Sequence, residues 1–230
     1  MKLSIIIPSK NEEKYIGGVI HSILNSNIRN SYEIIVSDIS TDNTREIIKL
    51  IDPNIKIVDG GLTPYARNMG ASNAKGEYLL FIDSDITFFN PNLIDNVVNV
   101  LDEGNDLVTC KLRCRGNNRR KINLIYRLNN IIQKLSKLDK KPFSTGSFMG
   151  IRKEVFNRLG GFNEEVMHCE DYLLSKKVDH TKFKVLNEYV YTDDRRFQKM
   201  GILGMVKYFI KNIKNRNNDQ YFKEDIGYWL

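Results

Sequence analysis

Cysteine and proline are scarce in this chain, and no apolar run is long. The three cysteines, Cys110, Cys114 and Cys169, form an odd, sparse set that argues against a disulfide framework. Their spacing, even with His168 added, is not a zinc pattern, so buried or idle thiols are expected, with His168 a satisfied surface or core histidine rather than a ligand. Five prolines and fifteen glycines exclude a collagen-like or low-complexity chain. No stretch reaches the ~18 apolar residues that a membrane-spanning helix needs. The chain opens on a strand, Leu3 to Ile7, with only Lys2 before it. A secretory signal would need a longer apolar core and a small-residue cleavage site, so the expected location is the cytoplasm.

What is present suffices for a large core. Of 230 residues, 41% are hydrophobic and 27% charged, which fits one large domain, or one domain with a modest extension, needing no staples. Charge is uneven. Residues 1–100 carry 9 basic and 12 acidic side chains, whereas residues 101–230 carry 26 basic and 16 acidic ones. The second half is therefore expected to meet something anionic, with nucleic acid, a phospholipid surface and a phosphorylated substrate as the candidates.

The first hundred residues alternate between strand and helix signals. Strands are expected at Leu3–Ile7, Glu33–Val36, Ile55–Val58 and Tyr78–Ile82. Helices are expected at Glu12–Leu24, Asp42–Ile51, Thr63–Ala74 and Asn90–Leu101, with Pro64 and Pro91 near the starts of the last two. Such alternation predicts a mostly parallel sheet with right-handed crossovers. Beyond Leu101 the pattern changes. Asp106–Thr109 reads as a strand, and residues 111–121 are strongly basic. Ile122, Ile125, Leu128, Ile132 and Leu135 then mark one helical stripe. Phe143–Ile151 is a strand or a loop of small residues. Arg152–Leu159 and Glu170–Lys177 read as helices, and Lys182–Leu186 as a strand. Ile202, Val206, Phe209 and Ile213 share one face of a C-terminal helix.

The most informative stretch is the end of the fourth strand. Tyr78 to Ile82 stops at Asp83-Ser84-Asp85. In an open α/β sheet, ligands bind beyond the carboxyl ends of the strands. Two acids there suit a hard divalent cation, Mg²⁺ or Mn²⁺, held to a diphosphate, because such ions take one or two carboxylates together with phosphate oxygens. The plain alternative is a turn cap at Asp83 and a solvated Asp85.

Four segments, in order, resemble family 2 glycosyltransferases of the GT-A fold. They are IIIPSKNEEKYI at 5–16, EIIVSDISTDNT at 33–44, ARNMGASNAKGEYLLFIDSDI at 66–86, and GSFMGIRKEVFNRLGGFNEE at 146–165 followed by HCEDYLLSKKV at 168–178. The resemblance covers about residues 3–186. It implies a Rossmann-like, mostly parallel central sheet flanked by helices. Residues 1–190 would form the transferase domain, with a nucleotide-sugar-binding half at 1–100 and an acceptor-side half at 101–190. A basic amphipathic C-terminal helical extension would follow at 191–230.

The resemblance also implies roles. The turn from Pro8 through Lys10 to Glu12 would hold the base and ribose, Asp38 the imide N–H of uracil, and Arg67 the nucleotide. Asp83, Ser84 and Asp85 would bind the donor, with Asp85 the direct metal ligand and Asp83 acting on the ribose or through water. Asp171 would be the general base, with Glu170 its orienting neighbour, and Arg195 and Arg196 would hold the diphosphate. A usual Asp-Asp-Gly-Ser motif is here Ser37-Asp38-Ile39-Ser40, lacking one acid and the turn glycine. The Gln-x-x-Arg-Trp motif of processive synthases is absent. The expected activity is thus one inverting, metal-dependent transfer from a UDP- or GDP-sugar to a hydroxyl or a lipid-phosphate. A lipid-linked acceptor and an anionic membrane, at the inner face of the cell membrane, would account for the basic run and the amphipathic C-terminal stretch. The alternative is a sugar-nucleotide-binding protein, or a nucleotidyltransferase without glycosyl transfer. The latter would want a glycine-rich, lysine-bearing phosphate loop that the first turn lacks. Nucleic-acid binding has no helix-turn-helix or aromatic RNA-binding motif behind it, so no nucleic-acid partner is expected.

Overall fold

Leu3–Ser9 is buried at every position and forms strand β1, near the middle of the sheet. Such unbroken burial is what a parallel strand covered on both faces requires. The computed structural model describes residues 1–117 and 119–225. Helix α1 (Ile16–Leu24) crosses to β2 (Tyr32–Asp38), and α2 (Thr44–Ile51) to β3 (Lys56–Asp59). Helix α3 (Thr63–Ser72) then returns the chain to β4 (Tyr78–Ile82), on the other side of β1. Next come α4 (Leu93–Asp102), β5 (Leu107–Cys114), α5 (Arg119–Leu135), β6 (Phe148–Arg152), α6 (Lys153–Arg158), α7 (Glu170–Ser175), β7 (Phe183–Thr192) and α8 (Arg195–Lys214).

The strand order is β3-β2-β1-β4-β6-β5-β7. Pairing is parallel except on the two sides of β6, which runs antiparallel to β4 and β5. From β1 the chain builds outward through β2 and β3, and from β4 it builds the opposite way. The β1/β4 boundary is therefore the topological switch point, where a crevice opens beyond the strand ends. One apolar cluster joins α1 and α4 to one sheet face, and a second joins α3, α6 and α7 to the other.

Most of the expected elements are present, with shifted ends. The helix expected from Glu12 starts at Ile16, because residues 12–15 form a turn. The segment at 143–151 divides into a loop and β6, and α7 ends at Ser175. Two strands run on past their expected ends: Lys182–Leu186 continues as β7 to Thr192, and Asp106–Thr109 continues as β5 to Cys114 and absorbs the first part of the basic run. Arg113 and Lys111 of that run lie over the Tyr189 ring, at 3.8 and 5.4 Å.

The stripe at 122–135 is not the buried face of α5. Ile122 is buried with Asn129 and Gln133, while Leu128, Ile132 and Leu135 are exposed. The cause is an open strand edge. Pairing of β6 with β5 ends at Thr109↔Met149, so β5 beyond that point lacks a strand on that side. Helix α5 supplies amides instead. Asn130 accepts from Leu112 N and donates to Leu112 O, both at 3.0 Å. Asn123 accepts from Cys114 N at 2.7 Å and donates to its carbonyl at 3.2 Å, and Gln133 donates to Cys110 O at 3.3 Å. Unmet backbone groups would each cost about 1–3 kcal/mol, so the polar face turns inward.

The C-terminal helix differs similarly. Phe197, Met205 and Tyr208 are its buried residues, whereas Ile213 is exposed, and Gly201 (φ 71°) kinks it. Tyr221 and Phe222 then pack with Val166 and Leu173. The fully buried His168 lies among the rings of Tyr208, Tyr221 and Phe222.

Candidate active site

Two turns at the switch point are laced together before any acid is placed. After β1, Asn11 takes a positive φ of 55°, a conformation that asparagine tolerates. Its amide donates to Ser40 Oγ at 2.8 Å, and its side chain accepts from Thr41 N at 2.9 Å. Glu12 N donates to Thr44 Oγ1 at 2.9 Å. These bonds bind the β1–α1 turn to the β2–α2 turn and aim Glu12 across the crevice. Pro8 is buried at the end of β1, paired in register with Ser37, and Lys10 is exposed on the turn.

Asp38 ends β2, fully buried. Its oxygens accept from Ser40 Oγ at 2.6 Å, Ser40 N at 3.1 Å and Arg45 Nε at 2.6 Å. The motif acid that is retained is thus satisfied locally, with Arg45 as a partner the motif did not name.

The acids after β4 meet two arginines from distant segments. Asp83 accepts from Arg67 Nη2 at 2.7 Å, and Arg67 Nη1 bonds Glu170 at the start of α7. Arg67 is only 2% exposed, and burial alone would weaken its proton affinity. The carboxylates of Asp83, Glu170 and Asp171 more than offset that and raise it. Asp171, beside Glu170, accepts from Gly146 N at 2.6 Å and Tyr172 N at 2.7 Å. Burial, then the charge of Glu170, pushes its carboxyl up to about 6. Asp83 N in turn donates to Ser147 O at 3.2 Å, so residues 146–147 stand between the two acid pairs.

Asp85 belongs to a second network. Arg195 forms a bidentate pair with Glu12, both bonds at 2.8 Å, and its Nη2 lies 3.4 Å from Asp85. The guanidinium also stacks 4.5 Å from the Tyr15 ring centre. Thr192 donates to Asp85 at 3.2 Å. Burial and the neighbouring Asp83 charge raise the Asp85 carboxyl, and burial raises that of Glu12 against the pull of Arg195. Ser84 is buried between the acids and bonds Glu12. Arg196 is exposed, and its charge reaches Asp85. The end of β7 is held here by Thr87 and Tyr191, whose backbones exchange two hydrogen bonds of 2.9 and 2.8 Å.

The structure therefore gathers Asp83, Glu170 and Asp171 around Arg67, and sets Asp85 beside them with Glu12 and Arg195. Asp38 stands apart at the base of the β2 turn. Gly146, Thr192, Tyr15 and Arg45 joined the site without being singled out in the sequence. Only Gly146 had a signal, its place in a run of small residues. A Cβ at Gly146 would come within 2.6–2.8 Å of the Arg67 guanidinium. Gly146→Ala should therefore destabilise the fold by about 1–3 kcal/mol as this overpacked corner shifts. Urea denaturation checks this, and an unchanged midpoint would mean that the corner has slack.

All the acceptors in the crevice are oxygens, the donor type of hard cations. Among the described residues no group of three or more His, Cys, Asp or Glu is poised around a common point.

Residues 4–160 match the profile of Glycosyl transferase family 2. The O-antigen chain rhamnosyltransferase WbaN of Salmonella anatum is 23% identical across 72% of this chain and 59% of its own length. Among solved structures, S. aureus TarS 1–349 in complex with UDP-GlcNAc superposes with a TM-score of 0.63 at 24% identity, covering 84% of this chain and 58% of that one. The mannosyltransferase PcManGT of Pyrobaculum calidifontis, in complex with GDP-Man and Mn²⁺, gives 0.68 at 19%, covering 93% and 64%. The chain spans less than two thirds of the length of each of these proteins. The fold is of the GT-A type.

Proposed function

The chain belongs to Glycosyl transferase family 2, and from that premise we propose that it moves one sugar, with inversion, from a nucleotide-sugar donor to a hydroxyl or lipid-phosphate acceptor. The observation that carries this reading is the buried bridge by which Arg67 joins Asp83 to Glu170, with Asp171 beside them. A donor-side pair and an acceptor-side pair of acids then face one substrate space.

Asp171 is the general base. Two backbone N–H groups fix its orientation, and its raised carboxyl is basic enough to take a proton from an acceptor hydroxyl yet ionised near neutrality. The oxygen so activated attacks the anomeric carbon opposite the leaving group, and a single displacement inverts the centre. Arg67 acts through others, holding Asp83 and Glu170 in place. Glu12 and the 8–12 turn take the ribose side, while Asp38 steadies Ser40 and Arg45 where the base would lie. Uridine and guanosine diphosphosugars are the donor candidates, since TarS and PcManGT were crystallised with one of each.

Asp85, with Asp83, would hold a divalent cation. When bound, the ion neutralises charge on the departing nucleoside diphosphate. Arg195 already lies against Asp85, and Arg196 adds charge at the mouth. Both therefore stand where a diphosphate would need positive charge.

The test is thermal shift with UDP, GDP and their sugars, with and without Mn²⁺. A ligand at a hundred times its Kd raises stability by about 2.7 kcal/mol. Asp85→Asn should abolish the Mn²⁺-dependent part of that shift. A full shift retained by the variant would remove the metal role, and no shift with any nucleotide sugar would defeat the reading.

A further inference from the structure

The amides that bond α5 to the open edge of β5 leave its other face bare. Leu124, Leu128, Ile131 and Leu135 recur at intervals of four, three and four residues and so form one stripe, which runs about 16 Å along the helix. Leu124 is 63% exposed, Leu128 58% and Leu135 52%. Ile132 and Leu138 widen the stripe, and contiguous exposed apolar surface of this kind marks an interaction site. The exposed Arg120, Arg127 and Lys134, spaced by seven, run along one margin, and Lys121 lies on the other. Between Asp106 and Asp139 the sequence carries nine lysines and arginines and no acid.

Helix α8 lies alongside. Tyr126, midway along α5, meets Phe197 near the start of α8 edge-on at 5.7 Å, and beyond the ends of both helices Asp139 pairs with Arg216 at 3.1 Å. Helix α8 also has no acid, exposes Leu203, Ile210 and Ile213, and carries Lys199, Lys207, Lys211 and Lys214. Its Tyr208 hydroxyl touches Cys169 Sγ at 3.4 Å, immediately before Glu170 and Asp171. Helix α8 is thus tied by its buried side to the residue before the Glu170-Asp171 pair.

We propose that the apolar stripe of α5, with its basic margins, seats the protein on an anionic phospholipid surface. Charge selects the occupant. A second copy of this face would bring acid-free, basic margins against each other, whereas a lipid surface supplies apolar depth and negative headgroups together. Leucines enter the headgroup boundary, and the long basic side chains reach the phosphates. No described helix is long and apolar enough to cross a membrane, so the contact is a seat on the surface.

Flotation of the full chain tests this without any substrate, so its result is independent of the sugar-transfer reading. The vesicles are phosphatidylcholine alone, or phosphatidylcholine with phosphatidylglycerol. The protein should float with the anionic vesicles at low salt and detach as salt rises. Arg120→Gln/Arg127→Gln/Lys134→Gln should weaken partitioning on the order of a hundredfold, at about fivefold per basic residue. Leu128→Gln/Leu135→Gln should weaken it at least about tenfold, since two leucines no longer leave water. Both variants keep good helix formers at exposed sites, so their melting curves should match the wild type. Failure to float with anionic vesicles, equal flotation without phosphatidylglycerol, or variants that float like the wild type would overturn the proposal. So would a solution dimer that the leucine substitutions dissociate, because the stripe would then be a self-interface.

Discussion

Arg67→Met should lower stability by about 3–5 kcal/mol, because it leaves two carboxylates facing each other with no countercharge. Arg67 is buried in α3, and its two terminal nitrogens serve Asp83 and Glu170. Glu170 is itself buried, so it cannot recover its lost partner from water. Methionine fills much of the space, which separates the charge effect from a cavity effect. Chemical denaturation of both proteins gives the difference directly. Adding Glu170→Gln to Arg67→Met should recover part of the loss, since a buried amide costs less than an unpaired buried charge. If the single variant is as stable as the wild type, the guanidinium bridge is not what holds the two halves of the crevice together. If the double variant is worse than the single, the repulsion account is wrong.

Asp171→Asn should reduce turnover by about 10²–10⁴-fold while donor affinity stays within a few-fold. The amide keeps the shape but cannot take a proton. It can accept from only one of the two backbone N–H groups at Gly146 and Tyr172, a misfit of about 1 kcal/mol. Wild-type turnover should rise with pH through about 6, because the base works only when ionised. The stability signature has the opposite sense. A carboxyl raised in the folded state contributes most below its unfolded pKa of about 4, and that contribution is lost as pH rises through about 6. The Asn variant should lose this decline between about pH 4 and 6. A variant with wild-type turnover, or a wild-type profile flat through pH 6, would take Asp171 out of the chemistry.

Much of this protein was legible along the chain. The run Tyr78–Ile82 had to be a buried strand, and two acids at its end had to lie at the carboxyl edge of a parallel sheet. Alternating strand and helix signals over the first hundred residues fixed the parallel half, since local periodicity and burial agree there. Periodicity failed at α5, where Ile122 alone of the five apolar stripe positions is fully buried. The unpaired edge of β5 outcompeted hydrophobic burial, and that edge exists only because β6 stops pairing at Thr109. No pattern of leucines could have announced where a different strand ends.

The number of cysteines and the order of residues along the chain determined that it folds without disulfides, builds an α/β sheet and carries its positive charge in its second half. The tertiary structure decided which charges meet. Arg67 reaches Glu170 across 103 residues, and Arg195 reaches Glu12 across 183. Ion pairs at such separations follow from where the sheet changes direction between β1 and β4. Helix and strand periods are properties of neighbours in sequence, whereas the crevice is made by strand order, which brings distant ends together.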